Sequence, residues 1–424
     1  MKQFPRLLAV TCALSSSLVL AHDMVPASPQ QGPIVIQNAT LHTVIDGVQT
    51  GSSLRIEQGQ IVAIGPEVST QDAQVIDAKG KHVYPGLIAL DTSMGLVEVE
   101  MMRPSNDSYE VGESNPQLLA ISAFNPDSEI IPTVRVNGIT HAQVVPQGEA
   151  LAGQSSLVSL DSWTIEDALV PTQAQFHLYW PTLRRLAHDE ETQKKQLAQY
   201  DAQLDSIETT LIDGYRYHMA AQAGTIDKTD NRWQAMQSLY QGKGQLFVHA
   251  NSAEQIEQAI AMTKPYQFKL VIVGGYDAWR VADQLKEVDA KVIYTRTLSL
   301  PMRTDEPTEM SFKIPSLLKQ ADIPFALGFS SDWNARNLPF AAGQTVAYGL
   351  SRQEALKSIT LDAAKILGLE DMGAIGVGYK ANLIISAGDI LDPLSSKIEA
   401  LFIDGRQIDL NNRQQQLYQK YLKR

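Results

Sequence analysis

Cysteine is all but absent from this 424-residue chain: the single Cys12 lies within a stretch that reads as a cleaved leader. A mature protein without cysteine has neither a disulfide nor a thiolate metal ligand. Basic excess is also missing, with 35 Lys and Arg against 47 Asp and Glu and a net charge of −12. That balance argues against nucleic acid and against an anionic membrane surface as partners. No apolar run reaches the ~20 residues that a membrane-spanning helix needs. Two nucleotide and hydrolase signatures are missing as well. No Gly-x-Ser-x-Gly elbow occurs, and no Walker or dinucleotide glycine motif sits between a strand and a helix.

Residues 1–21 have the form of a secretory signal. Lys2 and Arg6 open it, Leu7 to Leu20 form the short apolar run, and Val19-Leu20-Ala21 suits cleavage. Export across the inner membrane, to the periplasm, is expected, with a soluble mature chain of 33 basic and 47 acidic residues. Residues 22–32, rich in Pro, Gln and Ser, read as a disordered leader.

From Ile34 to His82 the text is short strands and turns, and a second β-rich piece closes the chain between Ala381 and Arg406. Two β segments bracketing so long a middle predict one small β-sandwich domain composed of residues 33–83 plus 371–408. Residues 84–370 alternate helical and strand patterns, as parallel sheets with helical crossovers do. Gln245 to His249 and Lys269 to Val273 read as strands, Ala253 to Thr263 as an amphipathic helix, and Ser351-Arg352-Gln353-Glu354 as a capping box. The expected fold is therefore α/β: a (β/α)8 TIM-like barrel with a composite β domain. The charged segment from Leu183 to Ala223 reads as a helical elaboration, and 409–424 as an exposed terminal helix.

The run Val83-Tyr84-Pro85-Gly86-Leu87-Ile88-Ala89-Leu90-Asp91-Thr92-Ser93 resembles the first barrel strand of the amidohydrolase superfamily, especially its composite-domain, imidazolonepropionase-like and prolidase-like exported group. Four further stretches carry the likeness: Gly148 to Leu160 with Ala152-Gly153-Gln154-Ser155, His249-Ala250-Asn251-Ser252, Trp333 to Pro339, and Glu354 to Leu369. The resemblance implies a metal-dependent C–N hydrolase with its site at the C-terminal mouth of the barrel. Its usual ligands are a His-x-His pair, a carboxylated lysine or Glu, two further histidines, and a last-strand aspartate.

Laid on that pattern, most ligands are replaced. The first two histidines fall on Asp91 and Ser93, the lysine on Ser159, the strand-six histidine on Gly274, and the aspartate near Ser330, with Asp332 two places on. His249 remains as the residual metal candidate and Asp332 as the catalytic candidate. Asp91, Ser93, Gln154, Ser159, Asn251, Arg336 and Asn337 are the candidate ligand-binding groups, the last two offering donors for a carboxylate or amide. Asp91, His249 and Asp332 could together hold one ion. His177, in Phe176-His177-Leu178-Tyr179-Trp180, is assigned no function. No cofactor is expected at full occupancy, and weak zinc binding is the most this set supports. The partner is a small-molecule ligand, with a homo-oligomer or a heteromer with an intact paralogue as further options. Two functions stay open: a C–N hydrolase with a reduced metal site, and a non-catalytic binding subunit.

Overall fold

The structure, a computed structural model, describes residues 25–183 and 187–424. The secretory signal expected at 1–21 lies outside the described residues. In chain order the strands are β1 Ile34–His42, β2 Val48–Glu57, β3 Gln60–Gly65, β4 Gln74–Asp77, β5 His82–Pro85, β6 Leu87–Thr92, β7 Ile139–Val144 and β8 Leu151–Ser159. They continue as β9 Leu169–Tyr179, β10 Gln245–Ala250, β11 Lys269–Gly274, β12 Lys291–Tyr294, β13 Phe325–Leu327, β14 Leu383–Ser386, β15 Ile398–Ile403 and β16 Arg406–Ile408.

Two eight-stranded sheets result. The first is β16-β15-β14-β5-β1-β2-β3, with β4 paired to β1. Both chain ends thus share one sheet, joined where β14 runs antiparallel to β5 with Leu383 opposite Pro85. Its core is Ile36, Leu41, Leu54, Ile56, Ile61, Val83, Leu383 and Phe402. The second sheet, β6 to β13, curls into a nearly closed barrel, and the Phe329 amide donates to the Leu90 carbonyl (3.0 Å) across its seam.

Alternation decides what each barrel strand buries. Ile88, Leu90, Leu157, Phe247, Val271, Val273 and Ile293 point inward and fill the barrel. Their neighbours Leu87, Ala89, Leu246, Val248, Ile272 and Val292 face the surrounding helices, where Ile256, Ala259, Leu285, Ile314 and Leu318 cover them. The helix Ala253–Thr263 begins at the capping box Ser252/Gln255, and Arg352–Ser358 begins at Ser351/Glu354. Between Ala278 and Glu287 a 3-10 turn is followed by a short α-helix.

One departure from the alternating plan matters for the site. β8 runs antiparallel to both β7 and β9, without a helical crossover on either side. The 34-residue helix Glu190–Ala223 follows β9, capped by Asp189 and ended by Gly224.

The leader expected at 22–32 is described from Val25 onward, and there it makes specific contacts. The Ala27 amide donates to the Asp161 carboxylate, while Gln30 donates to the Ile56 carbonyl (3.0 Å) and accepts from the Gly59 amide (2.9 Å). The last helix, Arg413–Leu422, buries no residue, and Gln414 accepts a bond from the Thr133 hydroxyl (2.8 Å).

Burial of neutral histidine gives the fold an acid limit. His141 on β7 is fully buried, and burial holds its pKa down at about 4, from 6.5. As pH falls below 6.5 the unfolded chain takes up this proton first, so the contribution to stability is intact above pH 6.5 and drains away towards pH 4. A shift of this size corresponds to roughly 3 kcal/mol. Urea unfolding of the wild type at pH 7 and pH 4 should show a loss larger by that amount than the loss in His141→Gln. Equal losses would show that His141 is not held neutral.

Candidate active site

Three side chains from the C-terminal ends of barrel strands meet at the mouth: Asp91 of β6, His177 of β9 and His249 of β10. Each offers one ligand atom, and the three atoms lie within 4.8 Å of one another. The Nδ1 of His177 is 2.9 Å from Nε2 of His249, and Nδ1 of His249 is 3.9 Å from Oδ1 of Asp91.

Local backbone explains why Asp91 belongs to this group. Ile88 and Leu90 face the barrel interior, so a regular strand would turn Asp91 outward. Instead the β6/β7 register shifts between Ala89 and Thr92, and Asp91 takes φ +57°. Aspartate tolerates this left-handed conformation better than most residues, and such an irregularity re-aims a side chain. The Asp91 amide then donates to Gln143 Oε1 (3.2 Å), and Ser330 Oγ donates to Asp91 Oδ2. Below it, Gln143 Nε2 donates to Gln175 Oε1 (2.7 Å) and to Ser155 Oγ (3.2 Å), and Ser155 Oγ donates to the same Gln175 oxygen (2.7 Å). Gln175, His177 and Tyr179 are alternate residues of β9, so one strand face supplies the polar layer, one imidazole and a ring that stacks on His249 at 3.9 Å.

Burial sets the charges. Removal from water pushes the Asp91 carboxyl up to about 7, partly opposed by the Ser330 hydroxyl, and holds His249 down at about 3. The His177 imidazole lies well below its ordinary range through burial and then through His249. Tyr179 is raised well above 10 by burial, then by Asp91 and Tyr109, and its hydroxyl donates to the Pro146 carbonyl (3.0 Å).

Above the cluster lies a cavity of about 200 Å³, walled by Asp91, Tyr109, Gln147, Tyr179, His249 and Ser330. It adjoins a larger hollow of about 590 Å³ across Gly148 and Tyr179. The far wall of that hollow is the helix Glu190–Ala223, through Gln196, Gln199, Tyr200 and Gln203.

Two imidazoles and one carboxylate supply the three protein ligands that a catalytic zinc ion takes. His177 Nε2 is buried without a hydrogen-bond partner. A ligating histidine normally gives its other nitrogen to an acceptor, and losing such a partner weakens the metal 10–100-fold. The donor set fits one ion; the outer partners that would hold it tightly are incomplete.

The structure brings Asp91 and His249 together as the sequence suggested, but their third companion is His177 rather than Asp332. The Asp332 carboxylate accepts from the Trp333 amide (2.6 Å) and caps the turn Trp333–Asn337. Ser159 stands opposite His141. Because β8 is antiparallel, its last residue points to the floor of the barrel, whereas a lysine-type ligand needs the mouth. Gln154 donates to the Pro116 carbonyl (2.8 Å), on the face opposite Ser155. Ser93 is buried, and its carbonyl closes a turn with the Leu96 amide (3.0 Å). Asn251 packs on Gly274, where an added Cβ would lie 2.7 Å from Asn251 Oδ1 and φ is +94°. Both facts oppose a histidine at this strand end.

Arg336 covers the Trp333 ring at 5.0 Å and donates to the Trp333 carbonyl (2.9 Å), while its own carbonyl accepts from Asn137. Asn337 begins the helix Leu338–Val346, and neither residue walls the cavity around Asp91. Arg336→Ala should therefore lower stability by about 1 kcal/mol, the worth of one hydrogen bond, and leave ligand affinity unchanged. A melt and a ligand titration on the same variant separate the two effects.

His177 is the member of the group to which the sequence assigns no function, because the aromatic run around it masks the strand. The signal was present: Gln173, Gln175, His177 and Tyr179 alternate with Ala174, Phe176 and Leu178, which is strand periodicity.

Residues 289–409 match the model of the amidohydrolase family. A curated relative, "Amidohydrolase tasK" of Hapsidospora irregularis, is 18% identical over 394 residues, which cover 82% of this chain and 39% of that protein. The chain thus spans well under half the length of that relative. An amidohydrolase from Thermotoga maritima superposes with a TM-score of 0.78 at 22% identity, over 89% of this chain and 99% of the other. A prolidase in complex with N-methylphosphonate-L-proline gives 0.54 at 15% identity, over 89% and 99%. The chain thus has the fold of the amidohydrolase that it superposes on, and its last barrel strands and closing β segment match the amidohydrolase family model.

Proposed function

Starting from the amidohydrolase fold, we propose that this chain hydrolyses C–N bonds other than those of peptides, in small polar molecules, with one weakly held divalent ion at Asp91, His177 and His249. The observation that carries this reading is the convergence of three donors from three strand ends beneath a cavity at the barrel mouth. A bound ion would supply an activated water and a polarised carbonyl. The chain's own groups do the rest. Ser330 and Gln143 fix the carboxylate and backbone of Asp91, and Tyr179 holds the His249 ring by stacking. Tyr109 and Gln147, on the open side, offer donors to an amide oxygen. The leader-like first 21 residues support export to the periplasm, and among the described residues no helix is long and apolar enough to cross a membrane.

A second reading has its own support. Ser330 occupies the place where the resemblance puts the proton-handling aspartate, and Gly274 is closed off by Asn251. Both favour a non-catalytic binding subunit, paired with an intact paralogue. Assay of the purified protein on cyclic and N-acyl amides, with zinc or manganese added, decides between the two. Turnover that disappears in His177→Ala and Asp91→Ala supports the hydrolase. Metal binding without turnover on any amide supports the binding subunit.

A further inference from the structure

A second cavity, of about 310 Å³, lies between the composite sheet and the helix Arg352–Ser358. It shares no wall residue with the cavity above Asp91. Its walls are apolar: Val44, Val48, Leu356 and Leu391. One side is an aromatic platform, in which the His42 ring stacks on Tyr84 at 4.2 Å with 14° between planes. His42 also meets His82, nitrogen to nitrogen, at 2.9 Å. The volume is at the lower end of the ~300–1,000 Å³ typical of small-molecule sites.

Two charges of opposite sign stand at the edge of this cavity. Arg352 and Asp389 pair with each other, their side chains 63% and 28% exposed. Asp389 is held in place by accepting from the Leu391 amide (2.9 Å). An ion pair so open to water contributes little to stability, so a ligand can part the two groups at small cost. The wall itself is held in an unusual shape. Val44 has φ +71°, a conformation that β-branched residues rarely adopt. It is fixed by the Thr43 amide and hydroxyl, which both donate to the Gly47 carbonyl (3.0 and 2.8 Å). Strain maintained by surrounding bonds in this way is a feature of ligand clamps and active sites.

We infer that this cavity is a binding site for a free α-amino acid with an apolar or aromatic side chain. The ammonium and carboxylate of the zwitterion match Asp389 and Arg352, and the side chain matches the apolar walls and the ring platform. Neither a simple hydrocarbon nor a simple anion satisfies both parts. The inference stands on this cavity alone and survives or fails independently of the chemistry at Asp91.

Calorimetric titration of the full chain with L-phenylalanine tests it, with L-phenylalaninamide, 3-phenylpropionate and glycine as controls. L-phenylalanine should bind saturably at one site per chain. The amide lacks the carboxylate and the propionate lacks the amine, so each should bind about tenfold more weakly or worse, since tenfold is the effect of one modest polar contact. Glycine, without a side chain, should not bind measurably. Leu356→Trp, which fills the cavity, should abolish the binding, and Arg352→Ala should weaken it about tenfold or more, as removal of the carboxylate does, while His249→Ala should retain it. A melt of each variant establishes that it is folded; if Leu356→Trp is not, Arg352→Ala with Asp389→Asn takes its place. Three results would each overturn the proposal: no saturable binding of L-phenylalanine up to millimolar concentration, equal binding of the single-charge analogues, or loss of binding in His249→Ala.

Discussion

His177→Ala is expected to lower the affinity of the barrel mouth for zinc by at least about 100-fold, because removal of even an indirect ligand partner costs up to that much. The ring contributes one of three donor atoms that lie within 4.8 Å of one another, and no fourth His, Cys, Asp or Glu joins them among the described residues. With two donors left, the site falls below the three protein ligands that a catalytic zinc ion takes. The variant should still fold, since Phe247 and the Gln143–Gln175–Ser155 layer continue to fill the barrel beneath it. A competition titration against a chromogenic chelator reads the affinity directly, and far-ultraviolet circular dichroism confirms the fold. Unchanged affinity would mean that the ion sits elsewhere.

Asp161→Ala is expected to destabilise the protein by about 3–5 kcal/mol, the range for removing one partner of a buried ion pair. Its carboxylate lies just after β8 with its side chain 1% exposed, and it joins three parts of the chain. Arg135, from the helix between β6 and β7, reaches it at 3.1 Å, Arg406 of β16 at 3.0 Å, and the Ala27 amide of the leader at 3.2 Å. Removing the carboxylate leaves two guanidinium groups near one another, with Arg135 buried. The loss should fall on both sheets at once, as a single cooperative transition in urea shifted to a lower midpoint with an unchanged slope. A shift of less than about 1 kcal/mol would place this group among ordinary surface pairs. Asp161→Asn, which keeps some hydrogen bonding, should lose less than Asp161→Ala.

Most of the fold was legible because its signals are local. Strand text at Ile34 to His82 and Ala381 to Arg406 gave the composite sheet, and the alternation between them gave the barrel. The capping boxes at Ser252 and Ser351 began helices where their side-chain chemistry requires. What stayed hidden was non-local. The antiparallel course of β8 is not written in its composition, since a buried strand reads alike in either direction, and it carries Ser159 to the end of the barrel away from the mouth. Asp91 and His249 were found by position along a familiar motif. His177 is harder to read from the sequence, because its place at the mouth depends on which face of β9 turns inward, and on a register that places Tyr179 beside His249. Asp332 stands apart from the three donors because of chemistry closer at hand: an aspartate ahead of a turn caps that turn.

Equilibrium dialysis against zinc, followed by elemental analysis, tests the three-donor site most directly. The wild type should take up one ion per chain at saturation and lose much of it on dialysis into metal-free buffer. His177→Ala and His249→Ala should each take up none, while Asp332→Asn, whose side chain serves the turn, should match the wild type. Saturable binding that survives in His177→Ala, or that vanishes in Asp332→Asn, would contradict the assignment of Asp91, His177 and His249 as the metal-binding group.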